Sequence, residues 1–87
     1  MHDVDELKQF FIKNFKGKNT VNDYLRAHAE SAAKEVAELL DNPRPSAGKV
    51  CAALFTHFAS DSRAIDVTRE LFEHSNLPVP ARFQRVD

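Results

Sequence analysis

The sequence is poor in residues that staple or loosen a chain: it has one cysteine, two glycines, four prolines and no tryptophan in 87 residues. A single cysteine excludes an internal disulfide framework and suits a reducing, cytoplasmic setting. Paired Cys or His residues at the spacing of a structural zinc site are also lacking. We therefore expect no metal site and no other cofactor.

Long apolar runs are lacking as well. The N-terminal stretch MHDVDELKQFF carries acidic residues where a secretion signal carries basic ones, and no extended hydrophobic segment follows it. For the chain as given, we expect neither a secretion signal nor a membrane span.

Charge of one sign is not in excess, because the formal net charge is −1. Such a balance gives no general electrostatic attraction to nucleic acid. Only residues 21–42 are clearly acidic, with two basic against five acidic side chains. At 43% hydrophobic and 29% charged residues, the composition is that of an ordinary globular protein, and the length suits a single domain, 1–87.

What the sequence does contain is a series of helical patterns. Leu7, Phe11 and Phe15 follow the three- and four-residue spacing of one helix side, which predicts a first helix from about Val4 to Lys16. Thr20 with an aspartate three residues later resembles a capping box, so a short second helix is expected to begin there.

Two further helices are expected on either side of the stretch DNPRPS. Ser31 is the expected cap of a third helix, which ends at Asn42 because a residue that precedes proline avoids the helical region. Ser46 is the expected cap of a fourth helix. Its inner side is expected to carry Val50, Cys51, Leu54, Phe55 and Phe58.

The segment SDSRAIDVTRELFEHSN fits two structures. Ile65 and Val67 alternate as in a strand, whereas Ala64, Val67 and Leu71 match one side of a helix. We favour the helix.

The C-terminal stretch LPVPARFQRVD contains two prolines that rule out a helix through them, so an extended tail over residues 77–87 is expected. The chain is thus predicted to be a mainly α domain of four to five short helices with an extended tail. The alternative architecture is an α+β winged helix, in which residues 63–87 form the wing hairpin.

The two helices that meet at residues 42–46 carry the most functional information. Ala33 and Ala37 supply small positions where a second helix could pack closely. The outer side of that second helix would present Arg44, Ser46, Lys49 and Thr56. Arginine can read guanine through two hydrogen bonds, and lysine with a helix N-terminus can hold phosphate.

In these features the region Thr20–Phe58 resembles the helical part of winged-helix and other helix-turn-helix regulators, and PARFQRV resembles the last strand of a wing. The resemblance implies a DNA-binding transcriptional regulator. As a homodimer it would set residues 46–56 of each subunit into successive major grooves of double-stranded DNA. Lys13, Lys16 and Lys18 could add phosphate contacts, although such a cluster is more often a solvated helix end.

A second hypothesis is a protein-interaction module, such as an adaptor, inhibitor or subunit that docks through an apolar aromatic face. Phe10 lies off the apolar stripe of its helix, and Phe72 and Phe83 are further candidates for partial exposure. Aromatic side chains are favoured anchors at interfaces.

Enzymatic activity is not expected. The stretch PSAGKV lacks the first glycine of a phosphate-binding loop and has Val where Ser or Thr should stand. Cys51, His57 and Asp61 share one segment, but the spacing points Cys51 inward, so no nucleophile and base are expected to converge.

Overall fold

The computed structural model describes residues 3–16 and 21–84, together with the backbone but not the side chain of Asp61. These residues form four α-helices and one short 3-10 turn: α1 (Val4–Phe15), α2 (Asp23–Leu40), α3 (Ala47–Phe58), α4 (Asp61–His74) and the turn Ala81–Phe83. The mainly α prediction is confirmed. No helix within the described ranges combines the length and apolarity that crossing a bilayer requires.

Helix α1 begins where the sequence pattern places it. The Asp3 carboxylate accepts hydrogen bonds from the backbone N–H groups of Asp5 and Glu6, which satisfies donors that have no partner within the helix. Leu7 and Phe11 lie on its buried side, as the three-and-four spacing predicts.

Helix α2 corrects the prediction of two separate helices in this region. It is one helix of 18 residues that begins after Asn22, whose side chain accepts a hydrogen bond from the Leu25 N–H. Ser31, the expected cap, lies exposed in the middle of the helix. The physical reason is that residues 23–40 contain neither glycine nor proline and are rich in alanine, the best helix former. Thr20, the other expected cap, lies outside the described residues.

Helix α3 begins as expected, with the Ser46 hydroxyl oxygen accepting a hydrogen bond from the Lys49 N–H. It ends at Ala59, which has a left-handed backbone (φ 54°) and donates its N–H to the Phe55 carbonyl. The inward orientation expected for Phe55 is wrong, because its side chain is 46% exposed. Successive helical residues are turned by about 100°, so a fully buried Leu54 leaves its neighbour at the edge of the buried side.

The segment that the sequence leaves open between strand and helix forms the helix α4. Ala64, Val67, Thr68 and Leu71 are buried, which is the period of a helix and not that of a strand. The Thr68 hydroxyl donates to the Ala64 carbonyl and so has a partner in the core. The winged-helix alternative is wrong for this part of the chain, because residues 63–84 contain no strand.

The chain after α4 turns back onto the helices. Residues 77–80 are extended, as predicted, but the tail then forms the 3-10 turn and buries Phe83. Arg69 of α4 is itself buried and holds this turn, since its guanidinium donates to the Phe83 carbonyl and pairs with Asp66.

The core lies mainly where α1 packs on α2, α2 on α3 and α3 on α4. Helix α1 packs along α2, and α3 packs against both α2 and α4. Helices α1 and α4 contact each other much less than these pairs do. This looser contact leaves an open groove on the surface.

Candidate interaction surfaces

The residues expected to read DNA lie on or before α3. Arg44, Lys49 and Thr56 are exposed, and Ser46 is half-buried. The hydroxyl groups of Ser46 and Thr56 are both engaged within the helix, Ser46 as the cap and Thr56 as a donor to the Ala52 carbonyl. The two remaining groups that could contact a duplex are therefore cations, Arg44 and Lys49.

The surroundings of this side of α3 are not strongly positive. Lys49 and Thr56 border a shallow depression whose opposite wall contains Glu35 of α2. The tail also reaches the first turn of α3, where a Cβ added to Gly48 would lie 2.5 Å from an Arg82 guanidinium nitrogen. The Glu35 carboxylate disfavours phosphate binding at Lys49, whereas Arg82 of the tail adds a cation beside the first turn of α3.

The lysines expected to contact phosphate are divided between different surfaces. Lys13 borders a depression between α1 and α4, whereas Lys16 borders one between α1 and α2. Lys18 lies outside the described residues. Lys13 and Lys16 therefore do not line a single surface depression.

Of the three phenylalanines proposed as interface anchors, two are in the core. Phe72 is 2% and Phe83 is 5% exposed, so the partial exposure expected for them is wrong. Phe72 belongs to the buried side of α4, and the Arg69 hydrogen bond holds Phe83 inward. Phe10 is half-buried at the edge of the core.

Phe10 stands in the middle of the α1–α4 groove, which consists of two adjoining depressions of about 380 and 420 Å³. The first lies between Leu7, Phe10 and Leu71, and the second between Phe10, Lys13 and Glu70. Phe10 and His74 border both depressions. Leu7 and Leu71 are almost completely buried and form an apolar floor.

Acidic side chains surround this apolar floor. Asp3 and Glu6 belong to the first depression, and Glu70 and Glu73 belong to the second, against the single lysine Lys13. Asp3 caps α1. Within the described part of the chain, Glu6, Glu70 and Glu73 have no cation within ion-pair distance. The α1–α4 groove is therefore an apolar strip with unpaired negative charge on both walls.

A second surface, the aromatic corner, is formed by Phe15, Tyr24, His28, His57 and Phe58. The rings of Phe15 and Phe58 are stacked at 4.0 Å, and those of Tyr24 and His28 are 4.3 Å apart. His57 Nε2 lies 2.9 Å from a carboxylate oxygen of Glu35. Rings and polar groups in the aromatic corner are thus largely paired with one another.

We next considered whether side chains at these surfaces could bind a metal ion or form a nucleophile–base pair. Among residues 3–16 and 21–84, no three His, Cys, Asp or Glu side chains are placed to share a metal ion. Cys51 is a free, half-buried thiol, and the histidine of its helix, His57, is held by Glu35.

The walls of the α1–α4 groove were missed by sequence reasoning, although part of the signal was present. Asp3, Glu6, Phe10 and Lys13 are spaced by three and four residues, so a helix places them in one row beside the buried stripe. The opposite wall had no such signal, because nothing in the sequence says that α4 lies beside α1.

Comparison of the chain with protein-family models, with curated proteins and with solved structures finds no match. The geometry of the two surfaces is therefore the basis for assigning a function.

Proposed function

We propose that this domain is a small, non-enzymatic protein-interaction module, whose partner inserts apolar side chains into the α1–α4 groove. The observation that carries the proposal is the position of Phe10, half-buried between two helices that contact each other only loosely. The single free cysteine suits a module that works in the reducing cytoplasm.

Phe10 has the properties of an interface anchor. Its inner edge packs against Phe11, with the ring centroids 6.0 Å apart, while its outer edge borders both depressions. A partner that covers this ring removes apolar area from water at about 25 cal/mol per Å². A large aromatic ring fixed on one side and open on the other is the common form of a binding hot spot.

The other exposed apolar side chains lack such a setting. Tyr24 is 76% exposed at the start of α2, and Phe55 and Ile65 are exposed on α3 and α4. None of the three borders the α1–α4 groove. Single apolar residues of this kind are normal on protein surfaces.

The DNA-binding hypothesis has weaker support. It depends on Arg44 and Lys49, and the depression that Lys49 borders also contains the Glu35 carboxylate. Arg82 of the tail adds one further cation at the first turn of α3. A regulator with so few cations would need a dimer and low salt to hold a duplex.

The experiment compares capture of partners by the wild-type chain, Phe10→Ala and Phe55→Ala, with circular dichroism to verify folding. We expect a partner that the wild type and Phe55→Ala retain and Phe10→Ala loses, and the purified partner should bind in the same order, about tenfold more weakly to Phe10→Ala. A purified partner whose affinity is unchanged by Phe10→Ala contradicts the proposal.

A second arm tests mixed duplex DNA at about 50 mM and about 200 mM salt, the range over which phosphate contacts weaken sharply. The interaction-module proposal predicts no binding at either concentration. Binding at the lower salt that is lost when Arg44 and Lys49 are replaced by alanine would overturn it in favour of DNA recognition.

A further inference from the structure

We infer that the segment which binds the α1–α4 groove is an amphipathic helix with basic residues on both flanks of its apolar stripe. This inference rests on the proposed function and adds the chemistry of the partner. It follows from the charge on the walls of the groove, the direction of the two helices and the shape of the apolar floor.

The charge argues for a basic partner. Glu6 on one wall and Glu70 and Glu73 on the other have no ion-pair partner in the described structure. The basic side chains that border the groove there are Lys13 and His74, so the acidic groups outnumber them. Lysine or arginine on both flanks of a docked segment would reach these carboxylates. An acidic segment, nucleic acid or an anionic lipid surface would be repelled by the same groups.

The direction of the helices argues for a helical partner. Asp3 at the start of α1 lies opposite Ser75 at the end of α4. At the other end, the Arg63 guanidinium donates to the Asn14 carbonyl at 3.0 Å. Helices α1 and α4 therefore run antiparallel, and a third helix can lie along the channel between them, as in other helix-in-groove complexes.

The length of the groove sets the length of the partner helix. Helix α1 has 12 residues, which corresponds to about 18 Å at 1.5 Å per residue. A partner helix of about three to four turns would place its apolar stripe over Leu7, Leu71 and Phe10. Such a contact buries less area than a stable heterodimer does, so a weak and rapidly reversible complex is expected.

The probe is a set of three labelled 14-residue peptides. The first has leucines at one helical stripe and lysines on both flanks, the second has the same leucines with glutamates in place of the lysines, and the third has the first peptide's composition with the stripe scrambled. Each is titrated into the isotope-labelled 87-residue chain and followed by NMR amide shifts and fluorescence anisotropy.

We expect saturable binding of the basic peptide, with shifts concentrated at residues 6–14 and 70–75 and no comparable shifts in the aromatic corner. The acidic and scrambled peptides should bind at least about tenfold more weakly. Raising the salt concentration from about 50 to about 200 mM should weaken binding of the basic peptide, because salt screens the attraction between exposed charges.

Matched variants separate charge from folding. Glu73→Gln should lower the affinity for the basic peptide about two- to fivefold. The control is Glu38→Gln, which changes an exposed glutamate of α2 outside the groove and should leave that affinity unchanged. Phe10→Ala should lower the affinity for the basic peptide about tenfold. An unchanged affinity in Glu73→Gln together with a loss in Glu38→Gln would overturn the inference.

The outcomes distinguish this inference from the proposed function. If the acidic peptide binds the groove as well as the basic one, the interaction module stands and the basic partner is wrong. If none of the peptides shifts residues 6–14 and 70–75, both are wrong. If the chain without peptide shows concentration-dependent shifts at those residues and sediments as a dimer, the occupant is a second copy and the inference is overturned.

Discussion

The α1–α4 groove and the aromatic corner are two ends of one row of aromatic rings, yet they differ in how far the rings are covered. Phe10 at the groove is 6.0 Å from Phe11, and Phe11 is 6.2 Å from Phe58 in the corner. In the corner, Phe58 stacks on Phe15 at 4.0 Å. In the groove, Phe10 has the core on one side and open depressions on the other.

The two surfaces also differ in whether their carboxylates have partners. In the aromatic corner, a carboxylate oxygen of Glu35 lies 2.9 Å from His57 Nε2. In the α1–α4 groove, Glu6, Glu70 and Glu73 have no cation within reach among the described residues. Aromatic content therefore does not identify a binding surface; the surface to test is the one whose apolar and charged groups still lack partners.

The largest expected effect comes from Phe11, the ring that lies between the two surfaces. Phe11 is completely buried, and its replacement by alanine leaves a cavity that the surrounding helices cannot fill. Phe11→Ala should lower the free energy of unfolding by about 3–5 kcal/mol, measured by urea denaturation. A loss below about 1 kcal/mol would show that the two surfaces are not joined through this ring.

The next prediction compares the two ends directly. Phe58 lies near the rings of Phe11, Phe15 and His57, whereas within the described part of the chain Phe10 has one ring neighbour, Phe11. Phe58→Ala should therefore lower the free energy of unfolding by about 2–3 kcal/mol, and Phe10→Ala by about 1 kcal/mol. Equal losses, or a larger loss for Phe10→Ala, would mean that Phe10 is a structural residue and not an open anchor.

A double-mutant cycle tests whether the aromatic corner is held by its own stacking. The single variants Phe15→Ala and Phe58→Ala and the double variant should show a coupling energy of about 0.5–1.5 kcal/mol, the range for paired aromatic rings. The matched cycle uses Phe55→Ala with Phe58→Ala, for which additive losses are expected. If the losses in unfolding free energy are additive for Phe15 and Phe58, their stacking does not stabilise the aromatic corner, and the corner does not differ from the groove in this respect.

The smallest expected effect concerns the ion pair of the aromatic corner. Glu35 is about half-exposed, so solvent screens its contact with His57. Glu35→Gln should change the free energy of unfolding by less than about 1 kcal/mol in urea denaturation at neutral pH. A loss above about 2 kcal/mol would show that this pair, and not the ring packing, holds the corner together.

Much of the helical structure was predictable because its signals are local. Ser46 begins α3 as its capping chemistry predicts, and the period of Ala64, Val67 and Leu71 was correctly weighed in favour of a helix. The predicted division of α2 at Ser31 is wrong, because nothing in the alanine-rich stretch stops a helix. Caps and breakers act within one turn, so they can be read without knowing the neighbours of a helix.

The exposure of individual aromatic residues was less predictable. Phe72 and Phe83 are candidates for partial exposure by sequence and lie in the core, whereas Phe55 is predicted to lie in the core and is 46% exposed. Periodicity shows which side of a helix is apolar, but residues at the edge of that side are buried or exposed according to the neighbouring helix. The tail decides the burial of Phe83 through Arg69, a contact that spans 14 residues.

The sequence by itself determined that this protein is a helical domain with a buried stripe on each helix, and it placed Asp3, Glu6, Phe10 and Lys13 in one row on α1. Only the tertiary structure brought that row opposite Glu70 and Leu71. The reason is physical: helical spacing fixes neighbours three and four residues apart, whereas the approach of α1 to α4 depends on how α1 packs on α2, α2 on α3 and α3 on α4. The groove is a product of that packing.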